Sequence, residues 1–162
     1  MDSLSSMSRP LAALLLERGE TVAVSESAAG GLISASLLSI PGASAYFMGG
    51  GVVYTRDARR ALLRFSEEEA LQPGSTEPYA LAAARAIRDR LGTTWSLAES
   101  GAAGPTGNSY GDAAGHCCFA VSGPVERRLT IETAAADREA NMWVFARTAL
   151  DLLEETVRAH GP

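Results

Sequence analysis

Two periods of apolar spacing alternate along this chain. Short runs of strand length occur at 21–24 (TVAV), 47–54 (FMGGGVVY), 95–98 (WSLA) and 116–121 (HCCFAV), with 127–132 (RRLTIE) reading as an edge strand. Between them the apolar residues return every three or four positions, as on one face of a helix. The first helix should carry Pro10 in its opening turn and stop near Gly19. A second should start at about Ala28, bury Ile33, Leu37 and Ile40, and end at Pro41-Gly42. A third is capped by Thr76, has Pro78 in its first turn and ends at Gly92; its inner stripe is Leu81, Ala84, Ile87 and Leu91, with an outer Arg85–Asp89 pair. The last, over about 137–157, should bury Met142, Phe145, Ala149 and Leu153. This order predicts one α/β domain over 1–162, its core at about 10–157. The architecture expected is a three-layer α/β/α sandwich with a mixed sheet of about five strands.

Composition narrows the function. With 46% hydrophobic and 20% charged residues in 162, the chain reads as a globular cytoplasmic protein, and its longest apolar run is too short to span a membrane. A formal charge of −5 argues against a nucleic-acid surface. Cys117 and Cys118 are neighbours that a strand points to opposite faces, and no metal-ligand spacing surrounds them, so no metal is expected. All fourteen Lys and Arg residues are arginine. No Ser–Lys dyad, Schiff base or P-loop lysine can therefore come from this chain.

Three stretches could carry chemistry. Ser27, in VAVSESAAGG, sits between a strand and an expected helix, where a serine is either an N-cap or a nucleophile in the positive potential of the helix start. Five glycines between Gly101 and Gly115 form either a plain connection or a backbone cradle for an anion. Tyr54 ends a strand just before Arg56, Arg59 and Arg60, as a rim aromatic or as part of a site. SESAAGG and AESGAAG follow two different strands, and their ends could form two walls of one cleft.

ESAAGG, GGGVVYTRDAR, TEP, GAAGPTG and ADRE, in this order, resemble the C-terminal domain of CinA, the competence/damage-inducible protein. That domain also occurs alone as a nicotinamide-nucleotide amidase, PncC. The resemblance implies a cofactor-independent amidohydrolase that converts a pyridine mononucleotide to its acid and ammonia. It makes Ser27 the nucleophile, with Tyr54 and the lysine position, here Arg59, beside it. It assigns substrate binding to Glu26, Gly30, Gly31, Gly101, Ala103, Gly104, Pro105, Thr106, Gly107 and Arg138, with backbone amides near Gly30 and Gly101 holding the oxyanion. A homo-oligomer stays open.

The sequence departs from the family pattern at several points. Arg59 replaces a lysine, and a guanidinium does not accept a proton as an amine does. Ala28-Ala29 replaces Cys-Thr, Asn108 a glycine, Met142 a second arginine and Glu99 an apolar residue. Glu99 is either a substitute general base or a solvent-facing loop carboxylate. The alternative to an enzyme is a nucleotide-binding or regulatory protein that keeps the pocket without the catalysis.

Overall fold

The computed structural model describes residues 3–162. The elements run α1 (Leu4–Arg18), β1 (Val22–Glu26), α2 (Leu32–Leu38), β2 (Phe47–Val52), α3 (Arg56–Leu63), α4 (Glu67–Leu71), α5 (Glu77–Leu91), β3 (Trp95–Gly101), β4 (His116–Ser122), β5 (Arg127–Glu132) and α6 (Arg138–His160). The five strands form one sheet in the order β2-β1-β3-β4-β5. Strands β2 and β3 flank β1 in parallel, and β4 and β5 continue antiparallel.

Alternation along the strands divides the interior into two layers. Val22, Val24, Trp95, Leu97, Cys117 and Phe119 face α1, α2 and α6, while Ala23, Ala98, Cys118 and Ala120 face α5. The two cysteines thus point to opposite faces, as their adjacency requires. Burying apolar side chains on both faces explains why β1, β3 and β4 read as nearly continuous apolar runs, whereas the edge strand β5 alternates.

Several local expectations need correction. Pro10 lies inside α1, which begins at Leu4 on a Ser3 capping box. Helix α2 begins at Leu32, not near Ala28, because residues 27–31 form a turn first. In α5 the Thr76 cap and the Gly92 stop are as expected, but the buried stripe is Tyr79, Ala80, Ala83, Ala84 and Ile87. Leu91 is exposed, and Arg85 pairs with Glu126 instead of Asp89. Phe145, Ala149 and Leu153 of α6 are buried, while Met142 is only partly covered.

Candidate active site

Strand β1 ends at Glu26, and the chain turns through 27–31 before α2. The N-cap of α2 is Gly31, in a left-handed conformation and with no side-chain cap bond, so Ser27 is not the cap. The capping is done by Glu26, which is only 1% exposed. Its Oε1 accepts from the amides of Gly31 (3.1 Å) and Ile33 (2.9 Å), and its Oε2 from Ser34 (2.8 Å). A carboxylate at a helix N-terminus satisfies the orphan amides and complements the helix dipole. Ser27 itself is half-buried.

The first turn residues are gripped from another strand. Glu99, near the end of β3 and 2% exposed, accepts from the Ser27 amide and, at 2.8 Å, from the Ala29 amide. It is not a solvent-facing carboxylate, and it does not line the cavity described below. Burial pushes its carboxyl up to about 7, with the Glu26 charge adding to the rise and the two amide bonds opposing it. The Gly30 amide donates to Ser27 O at 3.1 Å. The amides of Ser27, Ala29, Gly30 and Gly31 are therefore all committed within the fold, and Gly30 has no amide left for the expected oxyanion role.

A cavity of about 280 Å³ opens beyond the carboxyl ends of the parallel strands. Ala28 lines it from the β1 turn, Gly101 to Gly104 from the end of β3, and Thr106, Gly107 and Asn108 from the following loop. Tyr54 and Arg138 complete it. The two similar motifs do form two walls of one cleft, because β1 and β3 are parallel neighbours.

Tyr54 lies just past β2 and is 60% exposed. The Arg138 Nη2 donates to its phenol oxygen at 3.1 Å, and Nη1 donates to Gly104 O at 2.6 Å. Arg138 is the first residue of α6, where the helix dipole disfavours a cation by about 0.3–1 kcal/mol. Its two acceptors offset that penalty and tie three walls of the cavity together.

Asn141, which the sequence reading did not single out, supports one of those walls. Its Nδ2 donates to Ala103 O and Ala135 O, both at 2.8 Å, and its Oδ1 accepts from Thr133. Asn108 builds the loop tip, with Oδ1 accepting from the Tyr110 and Asp112 amides and Nδ2 donating to Asp112. Both residues sit inside or beside the motif stretches, so position along the chain was the one available signal for them.

Arg59 is placed elsewhere. It is 8% exposed, and its Nη1 donates to Ala70 O (2.9 Å) and Gln72 O (2.7 Å) while the guanidinium stacks 4.1 Å over the Tyr79 ring. It does not line the cavity, so Arg138 is the cation facing it. Of the other expected residues, Gly101, Ala103, Gly104, Thr106 and Gly107 line the cavity, whereas Glu26, Gly30, Gly31 and Pro105 do not; Ser27 is not itself a lining residue but directly precedes Ala28, which is. Gly30 has a left-handed backbone (φ 65°), the constraint that favours glycine there, since the atom a Cβ would meet, Met142 Cε at 2.7 Å, is the movable end of a side chain.

No helix of the described residues is long and apolar enough to cross a membrane. The model of the CinA C-terminal domain matches residues 4–157. A CinA-like protein of Gloeobacter violaceus is 37% identical over 160 residues, covering 96% of this chain and 37% of that protein. Another, of Synechococcus elongatus, is 34% identical over 164 residues, with 98% of this chain and again 37% of the relative covered. The chain thus spans little more than a third of these curated relatives. The crystal structure of the competence damage-inducible protein A from Klebsiella pneumoniae superposes with a TM-score of 0.91 at 26% identity, covering 99% of this chain and 100% of that one. A competence/damage-inducible protein from Agrobacterium tumefaciens gives 0.87 at 27% identity, with 98% and 99% covered. With the family model matched over nearly its whole length, the chain belongs to the CinA C-terminal domain family.

Proposed function

We propose that this chain is an amidohydrolase that cleaves the carboxamide of a pyridine mononucleotide, with Ser27 as nucleophile and Tyr54 as proton relay. One observation carries the reading: the turn after β1 brings Ala28, the residue next to Ser27, to the same cavity as the Tyr54–Arg138 pair and the Gly101–Gly107 loop. Its volume of about 280 Å³ suits a mononucleotide better than a dinucleotide, ligand sites in general running from roughly 300 to 1,000 Å³.

In this mechanism the Ser27 oxygen bonds to the carboxamide carbon as its proton passes to the Tyr54 oxygen and the phenol's own proton moves on to the carboxamide nitrogen. The carbon–nitrogen bond then breaks, and the nitrogen leaves as ammonia with a proton relayed through Tyr54. Arg138 holds the phenol oxygen in place. Water attacks the acyl-enzyme, the ester bond to Ser27 breaks, and the carboxylic acid is released. The substrate phosphate is met by Arg138 and by backbone amides of the loop. The reaction needs no metal or organic cofactor.

A second reading is a binding or regulatory protein without turnover. Its support is Arg59, which occupies the lysine position of the family pattern but is folded onto two carbonyls and an aromatic ring. Ammonia release from nicotinamide mononucleotide, measured alongside calorimetric binding, separates the two. The amidase reading requires release that disappears in Ser27→Ala. Tight binding without ammonia would establish the second reading in its place.

A further inference from the structure

The β1–β3 ladder ends at the pair Ser25 and Ala98. Glu99 stands one step past that pair, level with Glu26, and its side chain reaches forward into the turn that leaves β1. There the amides of Ser27 and Ala29 converge on one carboxyl oxygen. Two alternate backbone N–H groups converging in this way make a small anion-binding concavity. In this chain the anion is a side chain lying 72 residues away in sequence. Its other oxygen is met by the Cys117 thiol at 3.6 Å.

We propose that Glu99 is a positioning residue for the Ser27 chemistry: its carboxyl fills the amide concavity of the Ser27–Ala29 segment and fixes how the turn presents Ser27 to the cavity. The consequence for turnover rests on the amidase reading, whereas the grip on the turn does not. Glu99 acts through the backbone and removes no proton from substrate or serine. Without it, two amides next to the nucleophile would lack a buried acceptor, and the turn would rotate to find one.

The grip depends on protonation. An ionised carboxylate accepts more strongly than a neutral carboxyl. The groups facing Glu99 are Glu26 of β1, whose charge opposes ionisation, the Cys117 thiol of β4, and Tyr79 of α5, which feels the Glu99 charge. With burial holding the carboxyl at about 7, the turn tightens as pH rises through neutrality.

Amide NMR and ammonia release, compared in the wild type, Glu99→Gln and Glu99→Ala, test the proposal. The Ser27 and Ala29 amide signals should move together with pH in the wild type, through one midpoint near 7, and stay flat in Glu99→Gln. Glutamine still offers one oxygen to both amides, so Glu99→Gln should keep kcat within a few-fold while its pH profile loses that midpoint. Glu99→Ala should lower kcat by roughly 10-fold to 100-fold with KM little changed, and added formate should restore part of the loss. Loss of turnover in Glu99→Gln would make Glu99 a general base and overturn the proposal, as would full kcat in Glu99→Ala. Amides that titrate identically in the wild type and Glu99→Gln would overturn it as well. Should the wild type release no ammonia, the amidase reading falls, and the amide titration still decides the role of Glu99.

Discussion

Strands β1 and β3 each end in Glu-Ser followed by small residues, and the two copies are put to opposite uses. Glu26 works locally: both of its oxygens accept amides from the helix that follows within eight residues. Glu99 works at a distance: one oxygen accepts the two amides of the neighbouring turn, and the other meets a thiol. The serines differ as well. Ser27 is half-buried and directly precedes Ala28, which lines the cavity, whereas Ser100 is buried and accepts the Ser75 amide at 3.0 Å. The difference teaches that the motif sets which atoms are present at a strand end, and the element that follows sets what they do. A turn and helix follow β1 and need an N-terminal anion. A glycine-rich loop follows β3, so its glutamate is free to serve the next strand over.

The sharpest way to break this comparison is to remove each serine hydroxyl. Ser27→Ala should take ammonia release to the uncatalysed background while leaving the unfolding midpoint nearly unchanged. Ser100→Ala should keep turnover and lower stability by about 1–3 kcal/mol, through the unsatisfied Ser75 amide. Equal loss of turnover in both, by ammonia assay, would mean that the two strand ends share the chemistry.

Exchanging each carboxyl for an amide sharpens the contrast next. Glu26→Gln places an NH₂ group against one of three amide donors, because both oxygens are in use, and should destabilise by about 1–3 kcal/mol. Glu99→Gln keeps its acceptor. Its effect follows from linkage: the unfolded carboxyl ionises near 4.5 and the folded one near 7, so between those values the folded state binds more protons. Wild-type stability should fall relative to Glu99→Gln as pH rises from about 4.5 to about 7 and run parallel above it. Urea denaturation at several pH values measures both effects. A Glu26→Gln protein as stable as the wild type at neutral pH would contradict the local-cap assignment.

The smallest expected effect concerns the departure at residue 59. Arg59→Lys cannot reproduce a fork that donates to two carbonyls and stacks on Tyr79, so it should lower stability by roughly 1 kcal/mol. The side chain does not line the cavity, so the change should not raise ammonia release. A clear gain in release would show that a lysine there turns toward Ser27 instead of following the arginine's path.

The sequence alone determined the order of the five strands and four of the six helices, without α3 and α4, and the pairing of two small-residue motifs around one cleft. Those follow from local spacing: a period of two or near 3.6 fixes which side chains share a face, and parallel neighbours bring their carboxyl ends together. The cavity residues Gly101, Ala103, Gly104, Thr106 and Gly107 were legible for the same reason, being contiguous along the chain. Only the tertiary structure decided that Ser27 is not a helix cap, that Arg59 points away from the cavity, and that Glu99 clamps a turn on the neighbouring strand. The last two depend on contacts across 11 to 72 residues, where a buried donor or acceptor takes whichever partner the packed elements bring within reach; the first follows from Glu26 reaching the helix amides ahead of Ser27. Local spacing carries no record of that choice.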